Sequence, residues 1–191
     1  MFSLDNSLQI ITIDSNYNKA LYDVCSEVFY MPRQYDNKPY IGILITDGSR
    51  QYAVPLTSAK EKHKLWKNYN NGNFLVYETL TTKIHHSNAI ITQNSDGTYK
   101  HILAALIVNK MIPIKPGVYS RVNINPSASD DVKTLQYKTL LQKEFSFCIS
   151  IKDKILKEAS KIYDRQVRTG KIYASCCDYR ALEAICDSYQ I

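Results

Sequence analysis

The sequence predicts an α+β fold: one compact, curved antiparallel sheet with flanking helices and a long C-terminal helical region. Three observations carry this. Short β-branched and apolar runs bounded by turn residues crowd the middle of the chain, from about residue 40 to residue 114. After Asp130 the apolar spacing changes to the three- and four-residue steps of helices. Asp47-Gly48, between two of the apolar runs, supplies the positive φ angles of a two-residue hairpin turn, which makes its neighbours antiparallel. At 191 residues the chain is expected to form a single domain over residues 1–191, long enough to bury a core without staples.

Taken in order, Leu8 to Ile13 suits a first strand. Asp14 or Ser15 then offers an N-cap for a helix through about Phe29, with Leu21, Val24, Cys25 and Val28 on one face. Met31 to Lys38 is polar, contains Pro32 and reads as a loop. Tyr40 to Thr46 and Gln51 to Leu56 are the hairpin strands. Ala59 to Tyr69 is a cationic connector or short helix, and Asn70 to Asn73 a turn. Strands follow at Phe74 to Tyr77, His86 to Thr92 and Lys100 to Asn109, the last two joined by Ser95-Asp96-Gly97. Met111 to Ile124 carries two prolines and a glycine, so it is expected to be extended and partly at a sheet edge. Asp130 or Asp131 caps a helix from about Val132, with Leu135, Leu141, Phe145 and Cys148 as its apolar stripe. A second helix, Lys152 to Thr169, stops at Gly170, and a last one runs from Tyr179 to Tyr189.

Composition narrows the function classes. The longest apolar runs fall far short of the roughly 20 residues that cross a bilayer, and the N-terminus has no basic-then-apolar signal pattern. A cytoplasmic protein with no membrane partner is expected. Five cysteines, scattered and without a C-x-x-C pair, read as reduced thiols rather than a zinc site. The four histidines lack ligand spacing, and Gly-rich phosphate loops and the common hydrolase motifs are missing, so no metal and no cofactor is expected. The net charge of +6 is unevenly spread: residues 50–67 carry five Lys/Arg against one acid, and residues 131–171 ten against five. Fifteen tyrosines offer stacking faces beside these cations, a combination that suits a polyanionic partner.

The hairpin concentrates chemistry at its open end. With a two-residue turn, partner numbers sum to 95, so Lys38 faces Thr57, Asn37 faces Ser58 and Tyr35 faces Lys60. In Pro55-Leu-Thr-Ser-Ala-Lys-Glu-Lys-His63, two hydroxyls at a strand end precede Lys60, Lys62 and His63. Hydroxyls donate to phosphate oxygens, and lysines stabilise the extra charge of a pentacoordinate phosphorus. Three local readings stay open: a phosphate-handling site, an N-cap at Thr57 or Ser58 before a solvated Lys-rich turn, and a Ser-Lys amidohydrolase. The last needs a desolvated lysine, which so hydrophilic a run disfavours.

Four motifs in register extend the pattern: Asn37-Lys38-Pro39-Tyr40-Ile41-Gly42, Pro55-Leu-Thr57-Ser58-x-Lys60-x-x-His63, Met111-Ile-Pro-Ile114, and Tyr137-Lys138-x-x-Leu141. In order and spacing they resemble the ToxN/AbiQ family, the endoribonuclease toxins of type III toxin–antitoxin systems. The resemblance runs from about residue 8 to the C-terminus. There are departures. Tyr69 to Tyr99 is longer than in the family, which points to an inserted hairpin. Ala59 stands where a proline is usual, and one residue is missing between Asn37 and Lys38.

The resemblance implies a MazF/Kid-like curved sheet and metal-independent cleavage of single-stranded RNA to 2′,3′-cyclic phosphate and 5′-hydroxyl ends. It implies catalytic roles for Lys38, Thr57, Ser58 and Lys60, with Tyr35 and His63 as candidate proton carriers. Asn37, Lys62, Tyr137, Lys138 and Lys143 would contact RNA, Tyr137 by stacking. The implied partners are cellular mRNA as substrate and a repeated pseudoknot RNA antitoxin, which the toxin processes and which holds it in a closed protein–RNA ring. DNA is not expected to bind. A non-catalytic RNA-binding protein is the alternative.

Overall fold

The computed structural model describes residues 2–30, 39–45, 50–70, 72–85 and 88–191. The fold class is α+β, as the sequence predicts. Among the described residues nine strands form one antiparallel sheet: β1 (Ser3–Ile13), β2 (Tyr40–Ile45), β3 (Gln51–Ser58), β4 (Tyr69–Asn70), β5 (Asn73–Leu80), β6 (Ile90–Gln93), β7 (Tyr99–Ile107), β8 (Ile112–Ile114) and β9 (Tyr119–Arg121). The order across the sheet is β4-β5-β7-β3-β2-β1-β9, with β6 on β7 and β8 on β3. The helices are α1 (Ser15–Val24), α2 (Val132–Ser150), α3 (Lys152–Thr169) and α4 (Tyr179–Ser188).

Strand β3 organises the molecule. One edge pairs with β2 from Gln51 to Pro55. The other edge pairs first with β8 over Gln51–Ala53 and then with β7 over Leu56–Ser58. The handover falls at Val54 and Pro55, where the proline has no N–H to serve a continuous ladder.

The hairpin register agrees with the sequence at its open end: Tyr40 faces Pro55, Ile41 faces Val54 and Gly42 faces Ala53. Beyond an irregularity after Gly42 the pairing shifts by one, to Leu44 with Tyr52 and Ile45 with Gln51. The Asp47-Gly48 turn itself lies outside the described residues.

Several boundaries differ from the sequence reading. Asp14 caps α1 by accepting the Tyr17 N–H at 2.9 Å, but the helix ends at Val24, and Val24 is half exposed rather than on the apolar face. Asp131 caps α2 through the Thr134 N–H at 2.6 Å. In α2, Leu141 and Cys148 are buried and Phe145 is half-buried, whereas Leu135 is exposed. The strand expected from His86 begins at Ile90, and residues 86–87 lie outside the described residues. Helix α3 ends as expected, at a left-handed Gly170 whose N–H donates to Gln166 O at 2.8 Å.

Four of the tyrosines serve the core. Tyr17, Tyr40, Tyr52 and Tyr179 are fully buried. Tyr17 donates its hydroxyl to Pro113 O at 2.8 Å, and Tyr52 and Tyr163 both donate to Glu183 of α4. Phe2, Tyr52, Tyr163 and Tyr179 form a cluster of edge-on and tilted rings that joins β3 to α3 and α4.

Candidate active site

The C-terminal end of β3 carries the sequence-predicted hydroxyls. Thr57 and Ser58 belong to the strand, so neither is a helix N-cap. Thr57 faces Ala105 and Ser58 faces Ala104 across the ladder. Strand alternation sends the two side chains to opposite faces of the sheet. Ser58 is exposed and Thr57 half-buried, and neither hydroxyl has a hydrogen-bond partner among the described residues.

The ladder ends where the Ala59 N–H donates to Leu103 O at 3.2 Å. Lys60 is extended and starts the 3₁₀ turn Glu61–Leu65. This turn closes on itself. His63 N–H donates to Lys60 O at 2.8 Å, and Lys60 N–H donates back to His63 Nδ1 at 3.0 Å. The imidazole is only 1% exposed and packs on Trp66 with ring centres 4.6 Å apart. The Lys-rich run, read from sequence as a solvated turn, is hydrophilic, but its 3₁₀ turn folds the His63 ring inward. Burial first, then Lys62 and Lys60, lowers its pKa below the usual 6.5. With Nδ1 accepting, the neutral ring carries its proton on Nε2.

The cations around it are differently engaged. Lys62 lies 5.9 Å from the centre of the Trp66 ring, and Lys64 pairs with Glu61 at 2.8 Å. Lys60 is exposed and makes no ion pair among the described residues. Lys38, Asn37 and Tyr35 lie outside the described residues. The chain leading from them is fixed at Pro39, whose carbonyl accepts the Leu56 N–H at 3.1 Å.

Helix α2 exposes Tyr137 but pairs Lys138 and Lys143 with carboxylates. Tyr137 is 44% exposed, and its hydroxyl pKa is raised by burial and then by Glu144. Lys138 is held by Asp130 at 2.8 Å, in a pair that is itself largely covered. Lys143 pairs with Glu78 at 2.8 Å, and Glu78 also meets His101 Nδ1 at 2.9 Å. Burial pushes the Glu78 carboxyl up, but the bonds from Lys143 and His101 outweigh it and hold the pKa low. Lys138 and Lys143, which the resemblance places on RNA, are thus ion-paired, because carboxylates outside the helix reach them.

One group escaped the sequence reading. Glu144 is 4% exposed, has no hydrogen-bond or ion-pair partner among the described residues, and burial pushes its pKa up to about 8. Its signal was the spacing: it falls between Leu141 and Cys148 on the buried stripe of α2. Among the described residues no group of three His, Cys, Asp or Glu has metal-holding geometry, and no helix is long and apolar enough to cross a membrane.

The model of the family described as toxin ToxN of type III toxin–antitoxin systems matches residues 9–187. The chain belongs to the ToxN toxin family. It is similar to an endoribonuclease ToxN of Bacillus thuringiensis subsp. kurstaki, 26% identical over 186 residues that cover 94% of this chain and 82% of the relative. Among solved structures, it is similar to a type III toxin–antitoxin toxin selectively inhibited by a non-coding RNA pseudoknot, with a TM-score of 0.68, 25% identity, and coverage of 96% of this chain and 98% of that one. The lactococcal anti-phage endoribonuclease AbiQ shares the fold, with a TM-score of 0.66 at 21% identity, over 95% of this chain and 97% of AbiQ.

Proposed function

We propose that this chain is an endoribonuclease toxin that cleaves single-stranded RNA without a metal, as one domain acting in the cytoplasm. The carrying observation is the family match over residues 9–187, which contains the whole Thr57–Ser58–Lys60 turn. RNA brings its own nucleophile, the 2′-hydroxyl, so a Lewis acid is not required to generate one. The 2′-oxygen attacks the adjacent phosphorus, the bond to the 5′-oxygen breaks, and the products end in a 2′,3′-cyclic phosphate and a 5′-hydroxyl. One proton leaves the 2′-oxygen and one reaches the 5′-oxygen.

In this reading Ser58 donates to a non-bridging phosphate oxygen, because its hydroxyl is exposed and has no partner among the described residues. Thr57 supports it from the other face of the strand end. Lys60 supplies charge to the phosphorane, and Lys38, opposite Thr57 if the hairpin register continues, supplies the second cation. His63 positions Lys60 through their paired backbone contacts instead of carrying a proton, which leaves proton transfer to Tyr35 and the lysines. Tyr137 stacks on a base. Lys138 and Lys143 reach phosphate only if RNA displaces Asp130 and Glu78. The antitoxin is a repeated pseudoknot RNA bound in the same groove, in a closed protein–RNA assembly.

The test is cleavage of a long RNA in excess EDTA. Discrete fragments with cyclic phosphate ends are expected, and Ser58→Ala and Lys60→Ala should lose them. Cleavage abolished by chelator overturns the mechanism. RNA binding with no cleavage by the unaltered protein assigns a non-catalytic RNA-binding role instead.

A further inference from the structure

Two protons move in the proposed cleavage, one off the 2′-oxygen and one onto the 5′-oxygen, and the buried His63 carries neither. A second histidine is better placed. His101 lies on β7, three residues before the Ala104 that faces Ser58, a separation of about 10 Å along the strand. That interval is room for a phosphate on Ser58 and the ribose that carries the 2′-hydroxyl.

The two residues also share a face of the sheet. Ser58, Ala104 and Val76 are paired in one row, so their side chains lie on one side. After Val76 the β5–β7 ladder shifts register, which leaves Leu103 as an extra residue between Ala104 and Ile102. Leu103 joins Ala104 and Val76 in the main core, whereas Ile102 belongs to the smaller core on the opposite face. Alternation then resumes and returns His101 and its partner Glu78 to the Ser58 face. Without the bulge, a three-residue step would turn the ring to the other side. Helix α2 lies over this same face, where Leu141 and Cys148 enter the main core and Lys143 reaches Glu78.

Three side chains fix the ring. Lys143 Nζ pairs with Glu78 at 2.8 Å, and Glu78 Oε1 meets His101 Nδ1 at 2.9 Å. An ionised carboxylate only accepts, so Nδ1 carries the proton and the neutral ring presents the lone pair of Nε2. This is the reverse of His63, whose Nδ1 accepts from the Lys60 N–H. His101 Nε2 has no hydrogen-bond partner among the described residues, and 19% of the side chain is exposed. A general base must be oriented, unprotonated at the reacting atom and open to substrate, and His101 meets all three conditions.

We propose that His101 is the general base: Nε2 takes the 2′-hydroxyl proton as the 2′-oxygen bonds to phosphorus and the bond to the 5′-oxygen breaks. Glu78 is its positioning residue, holding the tautomer and stabilising the imidazolium that forms. Tyr35 or a lysine then gives the 5′-oxygen its proton. The inference rests on the RNA-cleaving reading above. The test measures single-turnover cleavage of a long RNA by the full chain, together with binding of the same RNA in 2′-O-methyl form. His101→Gln should slow cleavage at least about 100-fold, the lower end for losing a general base, with affinity and thermal midpoint unchanged. Glu78→Gln should slow it less, and the double variant no more than His101→Gln alone, because Glu78 acts through the ring. An RNA with sulfur in place of the scissile 5′-oxygen, whose thiolate leaves without an acid, should not recover the His101→Gln rate. Recovery makes His101 the acid and overturns the base. A rate loss matched by a fall in RNA affinity or in the midpoint makes the ring structural and overturns it too. Full activity in His101→Gln, with Ser58→Ala inactive, overturns this proposal and leaves the nuclease reading standing. No cleavage by the unaltered protein defeats the nuclease reading itself.

Discussion

The two ends of β3 have opposite fates. At its start, Tyr52 is fully buried and shares Glu183 with Tyr163, while Arg50, just before the strand, grips Asp187 of α4 through two bonds of 2.6 and 3.0 Å. At its finish, the Thr57 and Ser58 hydroxyls have no hydrogen-bond partner among the described residues, and Lys60 stands exposed. The same strand uses polar groups for cohesion at one end and, among the described residues, leaves its hydroxyls without partners at the other. Unpartnered hydroxyls cost little where water reaches them, so an exposed strand end can hold a binding site that a buried end cannot.

The largest effect should come from the open end. Ser58→Ala is expected to slow RNA cleavage by about 100- to 1000-fold, the usual loss for one transition-state donor, with the thermal midpoint unchanged. A midpoint that falls with the rate would break the contrast.

Helix α2 repeats the contrast with a buried group that has no partner among the described residues. Glu144 has its pKa raised from 4.5 to about 8 on folding. Its neutral form is the favoured one, so its contribution is full below pH 4.5, falls as pH rises and levels off above about pH 8. Unfolding measured across that range should show a loss of a few kcal/mol, and Glu144→Gln should flatten it.

At the closed end, Tyr52→Phe is expected to lower stability by about 1–2 kcal/mol in denaturant unfolding and leave cleavage unchanged. His63 gives a smaller, pH-gated effect beside the open end. Its folded pKa lies below 6.5, so stability is full above pH 6.5 and is lost as pH falls through the lowered value, where the unfolded chain already holds the proton. His63→Gln should remove that acid limb from a plot of thermal midpoint against pH. Arg50→Ala should do least, below about 1 kcal/mol, because the Arg50–Asp187 pair is largely solvated.

The sequence by itself narrowed the helix caps to Asp14 or Ser15 and to Asp130 or Asp131, and gave the Gly170 stop and the register at the open end of the hairpin. These depend on local periodicity, capping chemistry and backbone φ, which neighbouring residues decide. It also placed the Thr57-Ser58-x-Lys60 turn at a strand end. The folded structure decided which polar groups find partners among the described residues. His63 folded inward onto Trp66, Lys138 and Lys143 found Asp130 and Glu78, and four tyrosines went into the core. Outcomes of this kind depend on partners brought together by the fold, as Lys143 and Glu78 are across α2 and β5, and no spacing within one segment encodes that meeting.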